Sequence, residues 1–240
     1  MYGRNGESPL VVLAASAPSN CFMMAIEACR IALKFMVPVI LLTDGYIANG
    51  TEPWRIPHIN ELPKFEHKFA TDPDNYQPYS RDENLARPWA VPGTPGLEHR
   101  IGGLEKANIS GNVSYEPDNH DLMCNIRAEK VRRVANNIPD LKAEYDQEGD
   151  LLIVGWGELV VDGDSEGELL VIGWGGTQGT ITEAVKKARE QGLTVSRVHL
   201  NYINPFPKNL GDILPKFENI LVPEINLGQL SKILRSTFMI

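Results

Sequence analysis

The 240-residue sequence has few cysteines, few basic residues and no long apolar run. Its three cysteines (Cys21, Cys29 and Cys124) form no C-x-x-C pair, so neither a disulfide framework nor a zinc or iron–sulfur site is expected, which fits a reducing cytoplasm. Lys and Arg number 23 against 31 Asp and Glu, a net charge of −8 that argues against nucleic-acid binding. Because no apolar run reaches about 18 residues, we expect no transmembrane helix and no membrane partner.

The residues that are present indicate an ordinary globular chain, with 42% hydrophobic and 22% charged residues. Eight of the 17 prolines lie in 51–100, and both flanks of this region show strands alternating with helices. That alternation predicts an α/β fold with a parallel sheet. We therefore divide the chain into 1–50, an extended aromatic segment 51–119 that wraps another surface, and an α/β domain 120–240.

The first part reads as strand, helix and strand. The apolar run Leu10–Ala15 predicts a strand buried on both faces, and Pro38–Leu42 predicts the next one. Between them Ser19 is a candidate N-cap for a helix over 20–36. The charges of this helix form one narrow stripe, Glu27, Arg30 and Lys34, so most of its surface needs cover from a larger domain or a partner chain.

The third part contains a strand that occurs twice. Gly149–Gly157 is echoed by Gly167–Gly175, an offset of 18 residues. We expect the second copy, 169–172, to take the central sheet position because a glycine turn and a helix follow it directly. The first copy, 151–154, should form a hairpin or edge strand that folds back on 158–161 and on the second copy.

Other elements of the third part follow from periodicity and turn residues. Strands are predicted at Leu193–Leu200 and Asn219–Val222, a helix near 121–137 and a short helix near 209–215. The last helix, 226–238, shows a helical stripe of apolar residues, which predicts its buried face: Leu227, Leu230, Leu234 and Phe238.

Three features could carry chemistry. Glu98, His99 and Arg100 place an acid, an imidazole and a guanidinium on a glycine-rich loop. This loop is either a candidate site loop or a surface turn whose charges lie in solvent. Gly173–Gly179 between strand and helix is either a tight turn or a dinucleotide-binding turn, although the next strand ends without a carboxylate. Cys21 near a helix start is a candidate nucleophile or an inert packing residue. No His and Glu spacing indicates a metal ligand set.

Seven segments have a recognisable pattern: Tyr2–Glu7, Ser16–Cys21, Pro38–Tyr46, Glu52–Trp54, Pro92–Gly103, Asn204–Pro207 and Pro223–Leu230. Together they resemble the 2-oxoacid:acceptor oxidoreductase family, in particular the alpha subunits of its 2-oxoglutarate:ferredoxin enzymes. The resemblance covers nearly the whole chain. It implies the end of a thiamine-type pyrimidine-binding domain in 1–50 and a transketolase C-terminal-like domain in 120–240.

The resemblance also implies a function. Enzymes of this family decarboxylate a 2-oxoacid with thiamine diphosphate, reduce ferredoxin through an iron–sulfur cluster and form an acyl-CoA. The beta subunit holds the magnesium diphosphate and the cluster, so this chain alone should bind no cofactor and be inactive. The family's catalytic residues are expected before Met1, and their roles are not transferred to Glu7 or Glu27. The duplicated strand departs from the family pattern.

Two other functions stay open at this point. The chain could be a non-catalytic α/β interaction module in which 51–119 folds over the first part. It could also be a nucleotide-binding electron-transfer domain, an interpretation that depends on Gly173–Gly179 alone.

Overall fold

A computed structural model describes residues 7–141, 143–144, 151–154, 161–162 and 167–240. Contacts between these residues divide the chain into two compact units. The first unit holds the described residues through Val11, Ile26–Val39 and Pro57–Val134. The second unit holds Val12–Ala25, Ile40–Ile56 and the described residues from Ala135 onward. The domain boundaries at 50 and 119 stay a prediction.

Helices and strands alternate along the chain, and the α/β class is confirmed. The elements before residue 140 are β1 (Val11–Ala14), α1 (Asn20–Phe35), β2 (Val39–Leu42), α2 (Gly45–Asn49) and α3 (Pro117–Arg133). Those after it are β3 (Ala143–Glu144), β4 (Leu151–Val154), β5 (Val161–Asp162), β6 (Gly167–Gly173), α4 (Gln178–Glu190), β7 (Ser196–His199), β8 (Tyr202–Asn204), α5 (Leu210–Ile213), β9 (Phe217–Leu221) and α6 (Gln229–Phe238). Among the described residues no helix has the length and apolarity to cross a membrane.

The smaller sheet has the strand order β2-β1-β8. β1 is buried at every position, as its continuous apolar sequence predicts. β8 was not predicted, and it pairs antiparallel with β1, with Val12 opposite Asn204. Its residues Tyr202 and Ile203 are buried, and the strand ends at Asn204, where the proline-rich turn begins.

The larger sheet has the order β3-β5-β7-β4-β6-β9 and contains both copies of the repeated strand. β6 pairs parallel with β7 and β9, so the second copy lies inside the sheet as predicted, but it does not displace the first copy: β4 lies between β7 and β6 in the strand order. The hairpin or edge strand predicted for the first copy is wrong: β4 pairs parallel with both β6 and β7. An apolar strand suits the interior of a parallel ladder, and β4 has the same pattern as β6. Residues 158–160 of the predicted hairpin lie outside the described residues.

α6 begins three residues later than predicted, and this changes its buried face. Leu230 and Leu234 are 1% exposed, as expected, and Ile233 is buried beside them. Leu227 precedes the helix and is 90% exposed, so its predicted place in the core is wrong. The periodic pattern extended past the helix start because Gly228, in the left-handed region with φ 76°, interrupts the helical backbone.

The first unit is built around the second half of α1 and a long segment with little regular structure. The Trp89 indole Nε1 donates to the Leu33 carbonyl oxygen at 2.9 Å, and the Lys34 ammonium lies 2.6 Å from the Glu66 carboxylate. Isolated β-bridges between Phe69 and Trp89 and between Tyr79 and Ile109 connect parts of this segment. Within this unit, the segment before α3 therefore has little regular structure and contacts α1 through Glu66 and Trp89.

Candidate functional site

The candidate site in the second unit is a cavity of about 250 Å³ beyond the carboxyl ends of three strands. Ala15 follows β1, Thr43 follows β2, and Trp174 follows β6. β1 and β2 belong to the smaller sheet and β6 to the larger one. The carboxyl ends of strands in α/β sheets are where ligands usually bind. Ile225, before α6, also lines the cavity, whose wall is mostly apolar.

Asp44 closes one side of this cavity and is bound by two backbone amides. One carboxylate oxygen accepts from the Ile47 N–H at 2.8 Å and so caps α2, and the other accepts from the Gly176 N–H at 2.7 Å. The Asp44 carboxylate therefore takes the amide that a phosphate would need in the Gly173–Gly179 turn. This contact favours the tight-turn interpretation over a dinucleotide site.

Gly176 has to be glycine for a steric reason. A Cβ atom at this position would lie 2.7 Å from Asp44 Oδ2, closer than van der Waals contact allows. We expect Gly176→Ala to lower the free energy of unfolding by about 1–3 kcal/mol, because the Asp44 carboxylate must move and lose its amide contact.

A matched control is Gly179→Ala in α4, where a Cβ would meet nothing within 4 Å. Because alanine favours the helix, this change should be neutral or stabilising by up to about 1 kcal/mol. Urea unfolding of the two variants measures both effects. Equal stability of the two variants would show that the Asp44 contact does not restrict this turn.

Glu224 precedes two residues that line the cavity, Ile225 and Asn226, and caps α6. Its carboxylate accepts from the N–H groups of Leu230 at 2.8 Å and Ser231 at 2.9 Å, from the Trp174 indole N–H at 3.1 Å and from the Asn226 amide at 2.9 Å. Burial alone would raise the pKa of Glu224, but these four donors outweigh it and lower the pKa. The carboxylate is thus held ionised by the start of the helix and by Trp174.

Cys21 does not have the electrostatic environment of a nucleophile. Its thiol donates to the Ala17 carbonyl oxygen at 3.5 Å. Burial, followed by the nearby carboxylates of Glu52 and Asp44, raises the pKa of the Cys21 thiol. The thiol therefore stays protonated near neutral pH, which supports the inert interpretation.

The predicted loop Glu98, His99 and Arg100 lies in the first unit. Glu98 and Arg100 are exposed, whereas His99 is half-buried. The His99 Nδ1 lies 2.9 Å from the Leu97 carbonyl oxygen and 3.2 Å from the Tyr76 hydroxyl, and the two rings meet edge to face. The hydrogen bonds of His99 thus go to Leu97 and Tyr76 rather than to its two charged neighbours. A catalytic role for these three residues stays a prediction.

Sequence reasoning did not identify the Glu224 and Trp174 contact, nor the pairing of Asp44 with Gly176. Asp44 and Glu224 entered the sequence analysis only as members of the recognisable segments Pro38–Tyr46 and Pro223–Leu230. In the part of the chain that the structure describes, no group of three or more His, Cys, Asp or Glu is placed to hold a metal ion.

An α/β chain with parallel strands and a cavity at their carboxyl ends belongs to the class of ligand-binding α/β proteins. Residues 1–134 match the family described as "Pyruvate flavodoxin/ferredoxin oxidoreductase, thiamine diP-bdg", and residues 167–238 match "Pyruvate:ferredoxin oxidoreductase core domain II". The chain belongs to this thiamine diphosphate-binding oxidoreductase family, as the sequence resemblance predicted.

Individual proteins agree with the family. The chain is 51% identical over 243 aligned residues to the 2-oxoglutarate oxidoreductase subunit KorA of Mycobacterium tuberculosis, covering 100% of this chain and 34% of that protein. It is 27% identical to 2-oxoacid:ferredoxin oxidoreductase 1, subunit alpha, of Aeropyrum pernix, covering 97% of this chain and 35% of that protein.

A solved structure is also similar: the 2-oxoglutarate:ferredoxin oxidoreductase from Magnetococcus marinus with 2-oxoglutarate, coenzyme A and succinyl-CoA bound. Its TM-score is 0.81 at 27% identity, and the match covers 98% of this chain and 38% of that one. The chain spans about a third of the length of the two proteins above and of this structure.

Proposed function

We propose that this chain forms part of the alpha subunit of a thiamine diphosphate-dependent 2-oxoacid:ferredoxin oxidoreductase that acts on 2-oxoglutarate. The enzyme would decarboxylate the 2-oxoacid oxidatively, pass the electrons to ferredoxin and transfer the acyl group to CoA. The observation that carries this proposal is the 51% identity to a 2-oxoglutarate oxidoreductase subunit along the whole chain.

The described residues limit which cofactors of the enzyme this chain can hold. Thiamine diphosphate, when bound, supplies the carbanion that makes decarboxylation of a 2-oxoacid possible. The described part of the chain does not fit the rest of the cofactor set, since it groups no metal ligands for magnesium or for a cluster. Asp44 and Glu224 accept hydrogen bonds from the chain's own donors and serve the fold. We therefore assign the magnesium diphosphate and the iron–sulfur cluster to the beta subunit.

Exposed aromatic residues in the second unit support such a partner. Phe22 and Trp54 contact each other with ring centroids 5.5 Å apart, and both are more than a third exposed. Tyr46, which follows β2, is 74% exposed. Aromatic residues of this kind are enriched in protein interfaces, so we assign this surface to the beta subunit. A location in the cytoplasm fits the three free cysteines.

Activity of the assembled enzyme tests the proposal. The chain, expressed within its complete alpha subunit together with the beta subunit, should reduce a viologen dye in the presence of 2-oxoglutarate and CoA. Turnover with pyruvate should be lower. Turnover by the isolated 240-residue chain would contradict the assignment of the cofactors to the partner, and an inactive complete complex would contradict the proposed reaction.

The partner surface is tested separately by copurification. We expect Trp54→Ser to weaken copurification with the beta subunit, because it removes an exposed aromatic side chain from the surface assigned to that partner. Tyr115→Ser is the matched control, since Tyr115 is 82% exposed and lies in the first unit. Equal recovery of the beta subunit with both variants would argue against this surface.

A further inference from the structure

The first unit contains a second cavity, of about 470 Å³, whose charged lining is mainly positive. It lies between the loop of residues 79–87, the segment 103–106 and one face of α3. Five cationic side chains line it: Arg81, Arg87, Lys106, Arg127 and Lys130. In a chain with a net charge of −8, such a concentration of positive charge needs an explanation.

Among the described residues, the two arginines of the loop are hydrogen-bonded to uncharged groups only. The Arg81 guanidinium donates to the Tyr79 carbonyl oxygen at 3.0 Å and to Asn108 Oδ1 at 2.6 Å. The Arg87 guanidinium donates to the Pro78 carbonyl oxygen at 3.2 Å. Both also lie over the Tyr79 ring, at 5.5 and 4.2 Å from its centroid. The ring and the carbonyl groups orient the two guanidinium groups without neutralising them.

The ammonium groups of the two lysines also donate to uncharged backbone carbonyl oxygens. Lys106 is 4% exposed, and its ammonium donates to the carbonyl oxygens of Gly102, at 3.1 Å, and Leu104. The Lys130 ammonium donates to the Met36 carbonyl oxygen at 3.1 Å. Burial, and then repulsion from Arg87, Arg81 and Arg127 against a weaker attraction from Asp82, lowers the pKa of Lys130 to about 8.

The carboxylates of this cavity are already engaged or lie in solvent. Glu105 forms an ion pair with Arg127 at 3.0 Å and a second contact with His120. Glu7 is exposed. Asp82, the carboxylate that acts on Lys130, accepts from the N–H groups of Asn84 and Ala86 and pairs with Lys68. The hydrogen bonds of Arg81, Arg87, Lys106 and Lys130 therefore leave four positive charges without a carboxylate partner among the described residues.

We propose that this cavity is a binding site for a small ligand with two or more negative charges, carried by phosphate or by carboxylate groups. Holding one buried and three half-buried cations together without a counter-charge is costly, and an anion that enters the cavity reduces this cost. Arginine side chains match the paired oxygens of phosphate and carboxylate, and lysines add charge. The cavity volume is in the usual range for small-molecule sites.

Calorimetric titration of the 240-residue chain with inorganic pyrophosphate and, separately, with glutarate tests this proposal. We expect saturable one-to-one binding of at least one probe. Arg87→Gln and Lys130→Met should each weaken the binding about tenfold or more, because each removes a charged donor. Arg132→Gln is the matched control: Arg132 is on the same helix, exposed, and paired with Glu129. Its affinity should match that of the unchanged chain.

Stability without a probe separates binding from a purely structural role. Because Lys130→Met removes one of several repelling charges, this variant should unfold at the same or a higher urea concentration than the unchanged chain. Preference for pyrophosphate would identify a phosphate ligand, and preference for glutarate a dicarboxylate. The proposal is overturned if neither probe binds at about 10 mM. It is also overturned if both cavity variants keep the affinity of the unchanged chain.

Discussion

Replacing Glu224 with alanine should lower the free energy of unfolding by about 2–4 kcal/mol, measured by urea denaturation. The variant loses the acceptor for the N–H groups of Leu230 and Ser231 in the first turn of α6 and for the Trp174 indole N–H. These donors are partly buried, so water replaces the lost acceptor incompletely. α6 supplies three of the buried residues of the second unit, so a loss at its start should be transmitted to the core.

Acid should also lower the stability of the unchanged chain. The pKa of Glu224 is lowered in the folded state, so the stabilisation by its carboxylate is present above the ordinary value of 4.5 and is lost as the pH falls through the folded-state pKa. Glu218→Ala is the control, because Glu218 is an exposed carboxylate on β9 of the same unit. If Glu218→Ala destabilised the chain as much as Glu224→Ala, capping of α6 would not be the cause.

The elements that the sequence predicted well are those with a strong local pattern. The predicted helix 20–36 is α1, and the apolar run Leu10–Ala15 contains β1. Hydrophobic periodicity and continuous apolar runs depend on neighbouring residues, so they are visible without a structure. β8 was missed, and the predictions for Leu227 and for the first copy of the repeated strand were wrong, since each of these features depends on a distant partner or on where a glycine interrupts the helix.

The candidate site was less predictable because it is assembled from distant residues. Asp44 and Gly176 are 132 positions apart, and Trp174 and Glu224 are 50 apart. Nothing in the local sequence at Asp44 indicates that its carboxylate accepts from a glycine amide in another strand-to-helix turn. The basic cavity was missed for the same reason: its cations are spread over residues 81–130 of an acidic chain, so no continuous basic patch exists.

The closing motif Pro223–Leu230 shows how resemblance and geometry complement each other. The motif was recognised as a family pattern, without a physical reason for its residues. In the structure Asn226 Oδ1 accepts from the Gln229 N–H at 2.9 Å, and Glu224 accepts from the next two amides. The motif therefore satisfies the first three N–H groups of α6, which otherwise lack an acceptor within the helix.

The second large effect concerns His199, which is 3% exposed at the end of β7. Burial, and then the nearby Arg197, lowers the pKa of His199 well below its ordinary value of 6.5. At a pH between the folded-state pKa of His199 and its ordinary value, the unfolded chain binds a proton that the folded chain does not. The free energy of unfolding should therefore fall by about 1 kcal/mol for each pH unit below about 6.5, and the stability should be complete above that pH.

Urea unfolding at several pH values between about 6.5 and 5.5 measures this slope, before most carboxylates titrate. His199→Gln cannot ionise and should show a clearly smaller slope, whatever its stability at neutral pH. His67→Gln, at an exposed histidine, should keep the slope of the unchanged chain. The argument rests on the slope rather than on absolute stability, since removing a buried side chain destabilises for several reasons. Equal slopes in the His199 variant and the unchanged chain would show that this imidazole is not kept neutral by its burial.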